Sequence, residues 1–418
     1  MKQRILIGIS SGIAAYKVID LIKLLLQKDI AVSVVLTRNA SQMLDVSKLK
    51  KLVSSNIYSE LFTSDFDYKT VLQERSVEHI NVADNTDLMV IAPATANIIA
   101  KLAHGIADDY LTTAALAVTK PLLICPSMNV NMWNNPVVQD NIEKLRSFGH
   151  HIIEPTEGEL ACGYVGKGRL EDIDVIKQEI LNRLNQIALL KGKRIIITAG
   201  GTTEPIDNVR FITNKSSGKM GIALAEQCFL KGASVTLLRA KSAVKPRFLM
   251  KEELFETTSD LYTLVKKHAP KADIIFHVAA VSDFTVANQL HGKISSKQTL
   301  NLTLSPTIKI SNEIKKMNPN TLLVLFKAEY GLDEVELLDS AKVKLQDANA
   351  DIVVANDVSK ENQGFGSDFN QASLLTKTGK YKKFALQSKK TLAEEVIQFM
   401  IEEFQNVLST PSKNFRKN

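Results

Sequence analysis

RILIGISSGIAAYKVIDLIKLLL, residues 4–26, runs from an apolar stretch through a small-residue turn into a helical stripe. The first six residues are almost continuously apolar, as in a strand buried on both faces. In the last part Val18, Leu21, Ile22 and Leu25 fall at i, i+3, i+4 and i+7, one face of a helix. Between them GISSG is small and polar enough for a tight turn. Strand, turn and amphipathic helix in this order predict the start of a parallel sheet covered by helices on both faces.

The same pattern continues outward. VSVVLT (32–37), LMVIAP (88–93) and PLLICP (121–126) read as further strands of the first half. It then restarts at KGKRIIITAGGT (191–202), with a helix expected from about Ser217. ASVTLLRA (233–240), ADIIFHVAAV (272–281), TLLVLFKA (321–328) and ADIVVAND (350–357) are the strands that follow. The expected organisation is domain 1–185, a short basic linker 186–191, domain 192–405 and a polar, disordered tail 406–418. The fold class is α/β, two Rossmann-like domains in tandem, the first flavodoxin-like and the second nucleotide-binding. In such sheets ligands bind beyond the carboxyl ends of the strands, which is where the unusual stretches of this chain lie.

Bulk composition excludes several classes. No apolar run reaches the ~18 residues of a membrane span, and MKQRILIGIS moves straight into a strand without the long apolar stretch of a signal peptide. A cytoplasmic protein is expected. Cys125, Cys162 and Cys228 form neither a CxxC pair nor a metal-spaced set with His, so a cysteine here would act as a thiol. The net charge of +7 is not carried by basic runs interleaved with aromatics, which argues for small anionic ligands over nucleic acid.

Four stretches in the first half carry chemistry. GISSGIAAYK (8–17) places Gly8, Ser10 and Gly12 where a phosphate could meet backbone N–H groups at a helix start. The strand ending at Thr37 has no acidic residue at its tip, against a nicotinamide site. APATANIIAK (92–101) and PSMNVNMW (126–133) follow the third and fourth strands, and both offer small residues and amides. His79 stands alone before the third strand; an imidazole, with an ordinary pKa of about 6.5, suits proton transfer.

Together these stretches resemble the flavin-dependent cysteine decarboxylases, closely those acting on phosphopantothenoylcysteine. PSMNVNMW matches the PxMNxxMW signature in full; Thr95 and Ile98 depart from the PASANT-like loop, and Ser11 stands where Gly is common. The resemblance implies FMN held by Gly8, Ser10, Gly12, Thr37, Thr95, Ala96, Asn97 and Met128. It also implies His79 as general base and Asn129 as holder of the departing carboxylate. FMN would oxidise the substrate thiol to a thioaldehyde, which accepts the electrons left by decarboxylation. The flap GELACGYVGKGRL (158–170) would carry Cys162 as the donor that completes the return step.

In the second half ITAGGTTEPIDNVRFITNKSSGKMG (197–221) fails as a P-loop, since Thr213 and Met220 occupy two required positions. It resembles instead the phosphopantothenate–cysteine ligases, as do HVAAVSDF (277–284), VVANDVS (353–359) and QGFGSD (363–368). The two resemblances span essentially the whole chain, in the order of the bacterial bifunctional decarboxylase–ligase family. They imply activation of 4'-phosphopantothenate by CTP, with Mg²⁺, as an acyl-cytidylate that cysteine then attacks. Asn214 would steady the acyl-cytidylate. Ser216, Ser217, Gly218, Lys219, Met220, Asp283, Lys293, Phe326 and Lys344 would contact substrate or CTP; no metal ligand is assigned. Departures from the family pattern are Ser295, Ser296, Leu325, Tyr330, Ala348 and PTIKI (306–310). Family members assemble as trimers that build a dodecamer, so a homo-oligomer is expected. The other readings are a nicotinamide reductase on tandem Rossmann-like halves, and a flavin-binding regulatory or scaffold protein.

Overall fold

A computed structural model describes residues 2–54, 56–61, 67–75, 77–160, 163–287, 292, 300–360 and 363–405. Cys162, Lys293, Ser295, Ser296 and the tail 406–418 lie outside the described residues. The chain forms two compact units, residues 1–187 and 188–418.

Unit 1 is built on a parallel sheet of β1 (Arg4–Ile9), β2 (Ala31–Leu36), β3 (Ile57–Tyr58), β4 (Leu88–Ala94), β5 (Leu123–Pro126) and β6 (His151–Ile152). Among the described residues the strand order is β3-β2-β1-β4-β5-β6. With the two-residue β3 set aside, the order is the flavodoxin-like 2-1-3-4-5, and the direction of winding reverses between β1 and β4. Two apolar layers cover the sheet. Val18, Leu21, Ile22 and Leu25 of the helix Ala15–Leu26 pack on one side with Ile176, Ile180 and Leu184. On the other, Ile98, Leu111 and Trp133 pack against Leu6, Met89 and Ile91. Outside the sheet, β7 (Thr156–Glu159) and β8 (Val165–Arg169) form an antiparallel hairpin across the glycine-rich flap.

Unit 2 contains β9 (Arg194–Ala199), β10 (Thr203–Pro205), β11 (Phe211–Thr213), β12 (Ser234–Ala240), β13 (Lys251–Phe255) and β14 (Ile274–His277). It continues through β15 (Phe284–Val286), β16 (Leu304–Pro306), β17 (Leu322–Glu329), β18 (Ile352–Asp357), β19 (Phe369–Thr376) and β20 (Tyr381–Ser388). Its main sheet runs β13-β12-β9-β14-β17-β18-β19-β20, with the winding reversed between β9 and β14. The edge differs from the parallel sheet that the apolar runs predict: β19 and β20 are antiparallel to β18 and to each other. β19 buries the polar side chains of Asn370, Ser373 and Thr376, and β20 is mostly exposed, so neither shows the continuous apolar run that marks a doubly covered strand. The expected helix begins at Lys219, two residues later than Ser217, because Gly218 occupies its cap with φ +77°. No described helix is long and apolar enough to cross a membrane.

Candidate functional site

At the winding reversal of unit 1 the turn after β1 is tied to the turn after β4. Ser10, 1% exposed, donates from Oγ to the Pro93 carbonyl at 2.7 Å and accepts from the Thr95 backbone N–H at 3.0 Å. Gly12 passes close to Pro93, where a Cβ would stand 3.3 Å from Cγ. Thr95 caps the helix Ala96–His104 and Thr37 caps Arg38–Met43, each through its hydroxyl. Ala96 and exposed Asn97 form the first turn of the former helix. Three helix starts, two with hydroxyl caps, therefore gather beyond β1, β2 and β4, a donor set that suits an anionic, polar ligand. Gly8 is placed differently from the expectation. It lies inside β1, and its missing Cβ makes room for Leu111, whose Cδ1 would be 3.0 Å away.

The PSMNVNMW loop sits beside this turn under the hairpin. The Met128 N–H donates to the Gly168 carbonyl at 2.9 Å. A Cβ on Gly168 would meet the Met128 carbonyl at 2.3 Å, and one on Gly166 would meet Val130 Cγ2 at 2.7 Å. Glycine is needed at both positions for this close approach. Asn129 caps the short helix Val130–Trp133, its Oδ1 accepting from Asn131 N–H at 2.8 Å. Lys167 reaches over the Trp133 ring at 5.8 Å and pairs with Glu154.

His79, on the helix Glu78–Asp84, meets the edge of Tyr110 with ring centroids 6.3 Å apart. It lines a cavity of about 920 Å³ that shares no lining residue with the Ser10, Thr95 and Met128 loops. Within one chain His79 and those loops thus occupy separate walls. The Tyr110 ring is sandwiched by its stack on Tyr58 at 5.3 Å. Burial, and then the Glu78 carboxylate, hold its hydroxyl well above the ordinary phenol range. Cys125 and Cys228 are both fully buried, which pushes each thiol far up and removes it as a thiolate.

In unit 2 the stretches 197–221 and 277–284 meet at one place. Gly201 bridges to Ala280 beyond the carboxyl ends of β9 and β14, and Asn214 donates from Nδ2 to the Ala280 carbonyl at 3.2 Å. A cavity of about 860 Å³ opens here, with Asn214, Asp283, Phe326 and Lys344 in its walls. A neighbouring cavity of about 120 Å³ is lined by Ser216, Ser217, Gly218, Lys219 and Met220. Met220 is 8% exposed and belongs mainly to the hydrophobic core. Lys219 donates to the Gly366 carbonyl at 2.8 Å and pairs with Asp368 at 2.7 Å.

Sequence reasoning did not single out His277, Lys309 or Lys327, all in the wall of the larger cavity. His277, the first residue of HVAAVSDF, is 8% exposed, with Nδ1 3.1 Å from Thr198 Oγ1. Burial, then the Lys344 charge, lowers its pKa to about 4, so the ring is neutral near pH 7. Lys309, from the departing PTIKI, pairs with Asp283 at 2.5 Å. Lys344 donates to Ser311 Oγ at 2.7 Å, and its pKa is lowered by burial, then by Lys327 and Lys309. Lys215, Lys309, Lys327 and Lys344 in the wall of the larger cavity, against Asp283 and Glu329, leave it a surplus of positive charge that suits an anion. Among the described residues no group of three His, Cys, Asp or Glu side chains is placed to hold a metal ion.

Comparisons with known proteins agree with this architecture. The Flavoprotein family model matches residues 1–185, and the DNA/pantothenate metabolism flavoprotein C-terminal domain matches 190–404. The chain is 38% identical over 400 residues to the coenzyme A biosynthesis bifunctional protein CoaBC of Bacillus subtilis (strain 168), covering 95% of this chain and 96% of that one. To the protein of the same description from Thermococcus kodakarensis it is 37% identical over 403 residues, covering 94% of each. A crystal structure of the C-terminal domain of a CoaBC protein aligns at 32% identity and TM-score 0.44, over 52% of this chain and 99% of that one. By identity and by the length matched, the chain belongs to the CoaBC family, the bifunctional decarboxylase–ligase enzymes of coenzyme A biosynthesis.

Proposed function

We propose that residues 192–405 join 4'-phosphopantothenate to cysteine with CTP, and that residues 1–185 then decarboxylate the product to 4'-phosphopantetheine with FMN. The observation that carries the ligase half is the convergence of Asn214, Asp283, Phe326 and Lys344 on one cavity with a surplus of lysines. There the substrate carboxylate displaces pyrophosphate from CTP, forming an acyl-cytidylate. Lys344, Lys309 and Lys327 offset the charge that builds on the phosphates, and Asn214 orients the acyl group. Neutral His277 adds no competing cation. The cysteine amine then attacks the acyl carbon, releasing CMP and leaving an amide. Mg²⁺ arrives with the triphosphate, and Lys293 adds a further cation.

In the other half Ser10, Gly12, Thr37, Thr95, Ala96 and Asn97 would hold FMN, with Met128 forming an apolar wall. When bound, FMN would supply reversible two-electron chemistry at the substrate thiol. His79 removes a proton from the substrate, Asn129 orients the carboxylate that departs as CO₂, and Cys162 returns a proton to the enethiol. Because His79 lines a cavity apart from those loops, the reading needs a neighbouring subunit to complete the site, which favours the trimer-based homo-oligomer. The enzyme is read as cytoplasmic.

The test uses freshly purified full-length protein. Release of FMN on heating, together with pyrophosphate release that requires CTP and 4'-phosphopantothenate and continues beyond a single turnover only when cysteine is present, is the expected outcome. A colourless protein that takes up no added FMN sinks the decarboxylase half; sustained CTP turnover without cysteine, or no CTP turnover at all, sinks the ligase half.

A further inference from the structure

The helix that carries His79, Glu78–Asp84, is held unequally at its two ends. At the far end Asn85 donates from Nδ2 to the Asn81 carbonyl at 2.8 Å, and Arg4 donates to Asn85 Oδ1 at 2.7 Å. Thr86 adds a bond from its Oγ1 to the Val82 carbonyl at 2.7 Å. At the near end the cap is Val77, whose side chain accepts nothing. His79 stands in that uncapped first turn, where a short helix frays most readily.

Tyr110 meets this turn. It opens the helix Tyr110–Ala117, and the start of that helix is firmly set. Asp109 Oδ1 accepts from the Thr112 N–H at 2.8 Å, and Lys101 pairs with the neighbouring Asp108 at 2.7 Å. The Tyr110 side chain is 1% exposed. Its ring stacks on Tyr58 with the planes 17° apart and stands nearly perpendicular to the His79 ring, at 85°. Both centroid distances, 5.3 and 6.3 Å, lie within the range of attractive aromatic pairs. The Tyr110 hydroxyl is buried near the Glu78 carboxylate but closes no hydrogen bond of ordinary geometry among the described residues. What Tyr110 offers to His79 is therefore the ring.

We propose that the Tyr110 ring, backed by Tyr58, is a positioning residue for His79, which keeps the imidazole from shifting as its helix rocks about the pinned far end. The inference rests on the reading of His79 as the base of the decarboxylase half. It adds a residue that acts through His79 without touching the substrate.

Steady-state decarboxylation of 4'-phosphopantothenoylcysteine by the full-length, FMN-loaded protein tests it, together with hydrogen exchange over residues 77–85. Y110L fills the core without an aromatic ring; Y110F loses only the hydroxyl. A misplacement of about 1 Å at a catalytic group costs on the order of 100-fold. Y110L should therefore lower kcat about 10- to 100-fold, with KM and heat-released FMN unchanged and with faster exchange of the first-turn amides. Y110F should recover most of the rate and the slow exchange. Y58L, which removes only the backing ring at a half-buried position, should show the same split more weakly. Unchanged kcat and exchange in both Y110L and Y58L overturn the inference and leave the decarboxylase reading standing. So does a Y110F protein as slow as Y110L, or a loss of kcat that only follows loss of FMN in both leucine variants. H79N separates the two ideas: decarboxylation near the wild-type rate in H79N overturns the reading of His79 and the inference with it.

Discussion

Gly221→Ala tests how closely the helix Lys219–Leu230 must lie on β9. A Cβ at Gly221 would stand 2.6 Å from Ala199 Cβ and 2.9 Å from the Thr198 carbonyl. Ordinary contact begins at 3.4 Å, so the helix must back away by about 0.8 Å (3.4 − 2.6). Neither neighbour can swing aside, since one is a backbone carbonyl and the other a methyl fixed to the strand. Overpacking of this kind costs about 1–3 kcal/mol, whereas Ala in place of Gly returns up to about 1 kcal/mol of helix propensity. With the full return, a net loss of up to about 2 kcal/mol follows, or up to roughly 8 °C in the melting of a domain of this size. The same displacement carries the Ser216–Gly218 turn with it. G221A should therefore lower the unit 2 transition in calorimetry and raise the KM for 4'-phosphopantothenate, with heat-released FMN unchanged. An equal or higher melting temperature with unchanged KM would refute the close packing.

The other expectations concern single contacts. His277 has its pKa lowered to about 4 from 6.5, so the unfolded chain binds the extra proton between those values. Stability from this group is present above pH 6.5 and is lost as pH falls toward 4. H277N should flatten that slope in denaturant titrations, and an unchanged slope would count against it. Ser10→Ala removes the hydroxyl between Pro93 and Thr95; a loss of about 1–3 kcal/mol and weaker FMN retention are expected, read by calorimetry and by flavin absorbance after dialysis. Gly168→Ala drives a methyl to 2.3 Å from the Met128 carbonyl. It should lift the hairpin and slow decarboxylation while leaving CTP-dependent pyrophosphate release intact; equal loss of both activities would contradict a local effect.

How much was readable in advance followed from where each signal resides. Buried parallel strands need long apolar runs, so β1, β4, β17 and β18 were visible to within a residue or two, and Val18, Leu21, Ile22 and Leu25 marked the first helix. The antiparallel β19 and β20 were missed because polar residues interrupt both, buried ones in β19 and exposed ones in β20. Ser216–Lys219 and Asp283 could be proposed from the sequence because each lies in a contiguous motif, 197–221 and 277–284. Lys309 and Lys327 could not, because each is unremarkable beside its chain neighbours and meets its partners only across the sheet.

The sequence by itself therefore determined the two α/β units, their turns and the chemistry of their loops, since periodicity and local motifs depend on near neighbours. Tertiary structure decided three further things. Gly8 became a packing position, His79 was set apart from the Ser10 and Met128 loops, and lysines distant in sequence were gathered around one cavity. These depend on which side chains the winding of the sheet brings face to face, and burial of charge has no meaning until that winding is complete.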